Sequence, residues 1–246
     1  MIPKPDFLLI RSLKDKKHRT TQRKFLVEGE KSVAELLSSS FDINFILGTE
    51  EFLKEHAAVL KSRGIRIITG TQEDIEQAGT LESNRSAIAV AGQRVTTPPA
   101  PVNPGEIVIA LSSVRDPGNL GTILRIADWY GVKRIIASQD TAEFYNPKTI
   151  AASMGSFIRT QLVHTNIGDW LVKANAPIIG SSLDGENVHS IVFPKEGVLV
   201  MGNEANGIDP TLEKHIQTRI SIPRHGHAES LNVAIATAVI LDNWKR

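Results

Sequence analysis

Residues 198–233 hold two strand-to-helix loops close together in sequence, and that pairing restricts the fold more than any other feature of the chain. Two apolar runs of strand length, Val198–Met201 and Arg219–Ile222, each stop at a breaker. Gly202-Asn203-Glu204 follows the first, and a polar loop from Pro223 to Ser230 follows the second. Asp209-Pro210 reads as a helix cap with proline at the first helical position, and Ser230 stands as a cap before LNVAIATAVIL. Two such loops lie side by side at one end of a sheet, where open α/β folds bind ligands. Turn chemistry alone accounts for Gly202, Asn203 and Gly207. Glu204, Glu229 and Asn232 go beyond what a turn needs, so the stretch reads as a binding site.

The rest of the chain supplies the sheet. Residues 1–95 alternate a helix at Asp6–Lys16, a strand at Phe25–Val27, a helix at Glu30–Leu37 and a strand at Asp42–Leu47. A helix at Glu50–Ser62 and strands at Ile65–Ile68 and Ala87–Ala91 complete a small α/β unit. Residues 96–105 carry four prolines, which remove donors and fix φ, and are expected to form a stiff linker between domains. A strand at Ile107–Leu111 follows. Leu120, Ile123, Leu124, Ala127 and Tyr130 then form the buried stripe of a helix that ends at Gly131. Strands at Lys133–Ala137, Gln161–Val163 and Pro177–Gly180 alternate with helices opened by Asn146-Pro147 and around Asp169–Ala174. The spacing predicts a second α/β domain over 106–246, a mostly parallel sheet with helices on both faces.

Composition removes several chemistries. The 246-residue chain has no cysteine, hence no disulfide, thiolate zinc site or cysteine nucleophile. No apolar run reaches the length of a signal sequence or a bilayer span, so a cytoplasmic protein without membrane partners is expected. No G-x-G-x-x-G follows a strand and no G-x-x-x-x-G-K-[ST] occurs. His225-x-His227 lacks a further ligand at metal spacing, so no metal is expected, and Ser230, His227 and Asp209 lack a nucleophile elbow. Net charge is only +1, yet Arg11, Lys14, Lys16, Lys17, Arg19, Arg23 and Lys24 stand against the single acid Asp15 between positions 11 and 24. That run is either a solvated helix face or a surface for phosphates.

The strings Gly202-Asn203-Glu204 with Gly207, and Ile222-Pro223 followed by Glu229-Ser230-Leu231-Asn232-Val233, resemble the second and third motifs of the SpoU-type RNA ribose 2′-O-methyltransferases of the SPOUT superfamily. Asp116-Pro117-Gly118-Asn119 with Arg125 supplies the first motif, and Tyr145–Lys148 and Ser153–Gly155 match a further segment. Residues 16–37 resemble the N-terminal substrate-binding domain of the same enzymes, a fold shared with some ribosomal proteins. Ala205 departs from the family's usual glycine, and Arg224–His227 is a variable spot.

The resemblance implies a trefoil-knotted catalytic domain and S-adenosylmethionine held by loop backbone, with Gly202, Ile222 and Leu231 at the matching positions. It implies an active-site polar set of Asn119, Arg125, Glu204, Ser230 and Asn232. An RNA substrate follows, with ribosomal RNA favoured over transfer RNA by the N-terminal domain, and Lys14, Lys16, Lys17, Arg19 and Arg23 as its backbone contacts. The rival is a non-catalytic RNA-binding protein of the same fold. Arg125 is the general base by resemblance, but a guanidinium with a pKa above about 12 keeps its proton. A clamp on an RNA phosphate and a surface pairing with Asp128 stay open beside it. A homodimer is also implied. In the last helix, expected from Leu231 to Trp244, Leu231, Ala234, Ala238 and Leu241 form one stripe beside small Ala236 and Thr237, suited to a partner copy or to the chain's own core.

Overall fold

A computed structural model describes residues 2–81, 84–203 and 206–246. In chain order the helices are α1 (Lys4–Ser12), α2 (Lys16–Gln22), α3 (Glu30–Leu37), α4 (Glu50–Glu55), α5 (Ala57–Ser62), α6 (Gln72–Ala78), α7 (Pro117–Trp129), α8 (Pro147–Ala152), α9 (Ile167–Leu171), α10 (Pro210–Glu213) and α11 (Val233–Trp244). The strands are β1 (Lys24–Glu28), β2 (Ile43–Gly48), β3 (Arg66–Thr69), β4 (Ala87–Gly92), β5 (Ile107–Leu111), β6 (Arg134–Ala137), β7 (Gln161–His164), β8 (Ile178–Asn187), β9 (Gly197–Met201) and β10 (Thr218–Ser221). They form two units. One holds the chain up to Val95 together with Phe144–Ile158, the other Thr96–Glu143 and Arg159–Arg246.

The first unit is built on a sheet of order β1-β4-β2-β3, antiparallel except for the β2–β3 pair. Its basic N-terminal helix breaks in two, because Asp15 takes an extended conformation (φ −92°, ψ 133°) as the N-cap of α2. The helix expected over 50–62 also divides, at His56. Helix α6 escaped the periodicity, though Thr71 and Asp74 form a reciprocal capping box at its start.

Residues 144–158 match a segment expected in the second domain but pack within the first unit. The Tyr145 ring lies 4.5 Å from Phe25, and Phe157 lies 5.9 Å from Phe25 and 5.8 Å from Phe41. These rings need apolar cover that the first 95 residues do not complete. The Tyr145 hydroxyl accepts the Arg94 backbone N–H at 2.9 Å, and Arg94 stacks over Phe41 at 3.9 Å.

The second unit carries a fully parallel six-stranded sheet of order β10-β8-β9-β5-β6-β7. All residues of central β5 and β9 are buried, because neighbouring strands flank both edges and helices cover the faces. Val108, Ala110, Ile136, Val198, Val200 and Trp170 contribute to one core layer. Between β8 and β10 the register jumps, from Gly180↔Arg219 to Glu186↔Ile220. A Cβ on Gly185 would sit 2.5 Å from the Ile220 backbone, so only glycine permits the two chains to meet there.

The proline-rich segment is held along this unit instead of hanging free. Arg134 donates to the carbonyls of Ala100 and Pro101, both at 2.9 Å, and the Trp170 indole donates to Ala100 at 3.1 Å. Val102 N–H reaches the Ala174 carbonyl at 2.9 Å. Among the described residues, no helix is long and apolar enough to cross a membrane.

Candidate active site and family

A parallel sheet gathers the C-terminal ends of its strands at one edge, so the loops after β5, β6, β9 and β10 share that edge. Ser112–Asp116 leads from β5 into α7, where the Asp116 carboxylate caps the helix by accepting the Asn119 N–H at 2.8 Å. The loop after β10 leads into α11, and its cap is Asn232, not Ser230, which is exposed. Asn232 Oδ1 accepts the N–H groups of Ala234 and Ile235 at 2.9 and 3.4 Å, so the helix starts at Val233. The other face of that amide is turned outward, and Nδ2 donates to Asn119 Oδ1 at 2.8 Å across 113 residues of sequence. Packing of α7 against α11 brings the α11 cap to the first turn of α7.

After β9 the chain doubles back. Asn203 and Gly207 exchange backbone hydrogen bonds at 3.0 Å, and Asn203 Oδ1 accepts the Asn206 N–H at 2.7 Å. Gly207 has φ +67°. A Cβ on Gly202 would fall 2.0 Å from the Gly207 carbonyl carbon, so the chain itself requires glycine at 202 before any ligand is considered. Glu204 and Ala205 lie outside the described residues. Asp209 N–H donates to Ser112 Oγ at 3.3 Å, which joins this loop to the end of β5. Hydrogen bonds from Thr211 hold the Asp209 carboxyl below its ordinary pKa.

Ile222, half-buried, closes β10, and Leu231 is exposed just before the α11 cap. From Pro223 to Leu231 no backbone group hydrogen bonds to another backbone group among the described residues. Apart from the Ala228 carbonyl, which accepts from Arg224 at 3.4 Å, these backbone groups have no partner among the described residues, and they suit a ligand held by backbone rather than by charged side chains. By that measure the positions of Gly202, Ile222 and Leu231 fit a cofactor bound in the way the resemblance implies.

Arg125 is exposed on α7 and forms no hydrogen bond or ion pair among the described residues. The surface pairing with Asp128 is overturned, since Arg159 engages both oxygens of that carboxylate at 2.9 Å. The basic run also needs correction. Arg19 is 1% exposed, and its guanidinium donates to the carbonyls of Leu13 and Lys14 at 2.9 and 2.6 Å. The break before α2 leaves those carbonyls without helical partners, and Arg19 satisfies them from inside the fold. Lys14 is half-buried with its ammonium on the Gly79 carbonyl at 2.6 Å, and burial lowers its pKa. Lys16, Lys17 and Arg23 remain exposed.

On the last helix the stripe serves the chain's own core over most of its length. Ala234 and Leu241 are buried in their own chain together with Ala236 and Thr237, and the exposed apolar residues are Leu231 and Ile235. His225 and His227 are exposed, and no cluster of three metal-ligating side chains occurs among the described residues.

One polar group at the same edge escaped the motif reading. Asp140, in the loop after β6, accepts from Ser138 Oγ at 2.7 Å and from Arg115 at 2.9 Å. These hydrogen bonds, that from Ser138 first, hold its carboxyl at about 2. The signal available in sequence was the Ser-x-Asp-Thr turn directly after a strand, a pattern of Asx and hydroxyl turns.

Residues 106–242 match the model of the SpoU rRNA Methylase family, and residues 6–89 match an MRM3-like substrate binding domain. The 23S rRNA (guanosine(2553)-2′-O)-methyltransferase RlmP of Bacillus subtilis is 29% identical over 94% of this chain and 92% of its own. A solved structure from Porphyromonas gingivalis, of the TrmH family of RNA methyltransferases, is 32% identical, covers 99% of this chain and 98% of its own, and superposes with a TM-score of 0.88. An AdoMet-bound rRNA methyltransferase from Sinorhizobium meliloti is 31% identical, covers 100% and 95%, and has the same TM-score. With more than half of its length inside the family model and these relatives spanning it end to end, the chain belongs to the SpoU rRNA methylase family.

Proposed function

We propose that this chain transfers the methyl group of S-adenosylmethionine to the ribose 2′-hydroxyl of one nucleotide in 23S ribosomal RNA, in the cytoplasm. The observation that carries the reading is the Asn119–Asn232 hydrogen bond, which joins the first and third motifs at the ligand-binding edge of the sheet. The names of the B. subtilis and S. meliloti relatives support the substrate and the cofactor.

S-adenosylmethionine, when bound, supplies a methyl carbon on a sulfonium, open to attack by oxygen. The chain's own part is to hold and to orient. Open backbone groups of Pro223–Leu231, with Gly202 and the paired Asn203 and Gly207, form the cofactor's seat. Asn119 and Asn232 fix the loops against each other, which keeps the reacting groups in line. Arg125 clamps the RNA phosphate beside the target ribose through its planar fork, and the hydroxyl proton leaves to phosphate or water. A non-catalytic RNA-binding protein has no use for this set of side chains.

The first unit binds RNA backbone through Lys16, Lys17 and Arg23. The active form is a homodimer. Trp129 on α7 is 83% exposed and Ile235 on α11 is 55% exposed, large apolar surfaces on two helices that pack together. The trefoil knot belongs to the same reading. Supporting it, the chain leaves central β9, adds β10 at the sheet edge, and returns as α11 to pack on α7, the helix that follows β5.

Mapping ribose methylation in all RNA of a strain lacking the gene, against its parent, tests the proposal. One methylation missing from 23S RNA is expected. A loss confined to transfer RNA overturns the substrate, and no loss overturns the activity.

A further inference from the structure

We propose that Arg115 is a second contact to substrate RNA at this edge, a phosphodiester-binding guanidinium aimed by Asp140; the inference rests on the RNA methyl-transfer reading above. Arg115 immediately precedes Asp116, the cap that fixes Asn119, and its side chain is 71% exposed. Its Nε and one terminal nitrogen both meet Asp140 Oδ2, at 3.3 and 2.9 Å. The other terminal nitrogen has no partner among the described residues. A guanidinium backed along one edge by a carboxylate presents its remaining donors outward as a rigid fork, the geometry that suits a phosphate.

The aiming is built with more structure than an exposed ion pair warrants for stability, since such pairs contribute little. Ser138 Oγ donates to the second Asp140 oxygen at 2.7 Å, lies 2.9 Å from Thr141 Oγ1, and accepts the Ser113 N–H at 2.9 Å. Ser113 itself holds φ +60°, a conformation that side-chain-bearing residues rarely adopt. Two loops are thus ordered around one carboxylate whose outward function is to direct Arg115. The partner is an RNA strand rather than a free nucleotide, because the fork stands exposed at the edge instead of in an enclosed cavity.

The test compares the full-length parent with Arg115→Ala, Arg115→Lys and Asp140→Asn, using deproteinised 23S RNA as the probe. Single-turnover methylation at saturating cofactor and filter retention of the same RNA are both measured. For Arg115→Ala the half-saturating RNA concentration should rise roughly tenfold, with the plateau rate within about threefold of the parent and the salt slope shallower by about one. Asp140→Asn should show a smaller rise at the same plateau, and Arg115→Lys should recover part of the loss. Unchanged RNA affinity and salt slope in Arg115→Ala overturn the contact, and tighter RNA binding by Asp140→Asn overturns the aiming. A parent that retains RNA without methylating it defeats the methyl-transfer reading alone, and the Arg115→Ala retention shift still decides this one.

Discussion

Asn232 donates to Asn119 at 2.8 Å while its carbonyl oxygen caps α11, so one amide performs two separable tasks. Asn232→Asp keeps the cap and removes the donor. Thermal unfolding of that variant should match the parent within about 0.5 kcal/mol, because aspartate caps as well as asparagine. Its single-turnover methylation should nonetheless fall sharply. Asn232→Ala loses both tasks and should cost about 1 kcal/mol of stability as well.

Arg125 makes no hydrogen bond or ion pair among the described residues, and Arg159 occupies Asp128. Arg125→Ala should change unfolding free energy by less than about 0.5 kcal/mol, yet slow methyl transfer roughly a hundredfold or more. Cofactor affinity by calorimetry should stay as in the parent. Arg125→Lys should be nearly as slow, because a lysine keeps the charge but loses the fork. A lysine variant within threefold of the parent would remove the clamp from the mechanism.

The basic run divides by burial. Arg19→Ala should lower stability by about 2–4 kcal/mol in urea, because Arg19 hydrogen bonds two carbonyls from inside the fold. Lys16→Ala, Lys17→Ala and Arg23→Ala should leave stability unchanged. Each should flatten the salt dependence of RNA binding by about one unit of slope.

Asp140 adds a pH signature. Its carboxyl sits at about 2 in the folded chain against an ordinary 3.8, so the stabilisation is present above 3.8 and disappears as pH falls toward 2. The group is partly exposed and screened, which reduces the gain to about 1 kcal/mol or less. The stability gap between parent and Asp140→Asn should therefore stay flat from neutral pH to about 5 and close between roughly 4 and 2.

Two glycines of one turn separate steric from conformational need. At Gly202 an added methyl meets the Gly207 carbonyl, so Gly202→Ala should open the turn, abolish cofactor binding and raise hydrogen exchange at Asn203 and Gly207. Gly207 faces open space but holds φ +67°, and Gly207→Ala should cost only about 1 kcal/mol with the turn preserved.

Local signals in the sequence reached as far as local physics extends. Helix α3 and strand β5 begin and end where their apolar periodicity does. Asp209, Asn146 and their following prolines mark real helix starts. What escaped depended on partners distant in sequence. Ser230 and Asn232 are both good caps by type, and only the position of α7 selects the second. Arg19 reads like its neighbours until the break at Asp15 turns it inward. The small residues of α11 could serve a partner or the core, and the packing of α7 against α11 buries them in the chain itself.

The aromatic cluster around Phe25 and Phe41 has a consequence for synthesis on the ribosome. Tyr145 and Phe157 complete that cluster, yet they are translated after β5, α7 and β6 of the other unit. The first unit cannot reach its final packing when Val95 emerges, and it waits with apolar rings uncovered until Phe157 has left the exit tunnel. The nascent chain therefore matures in an interleaved order, its first 95 residues closing only after β5, α7 and β6 have been made.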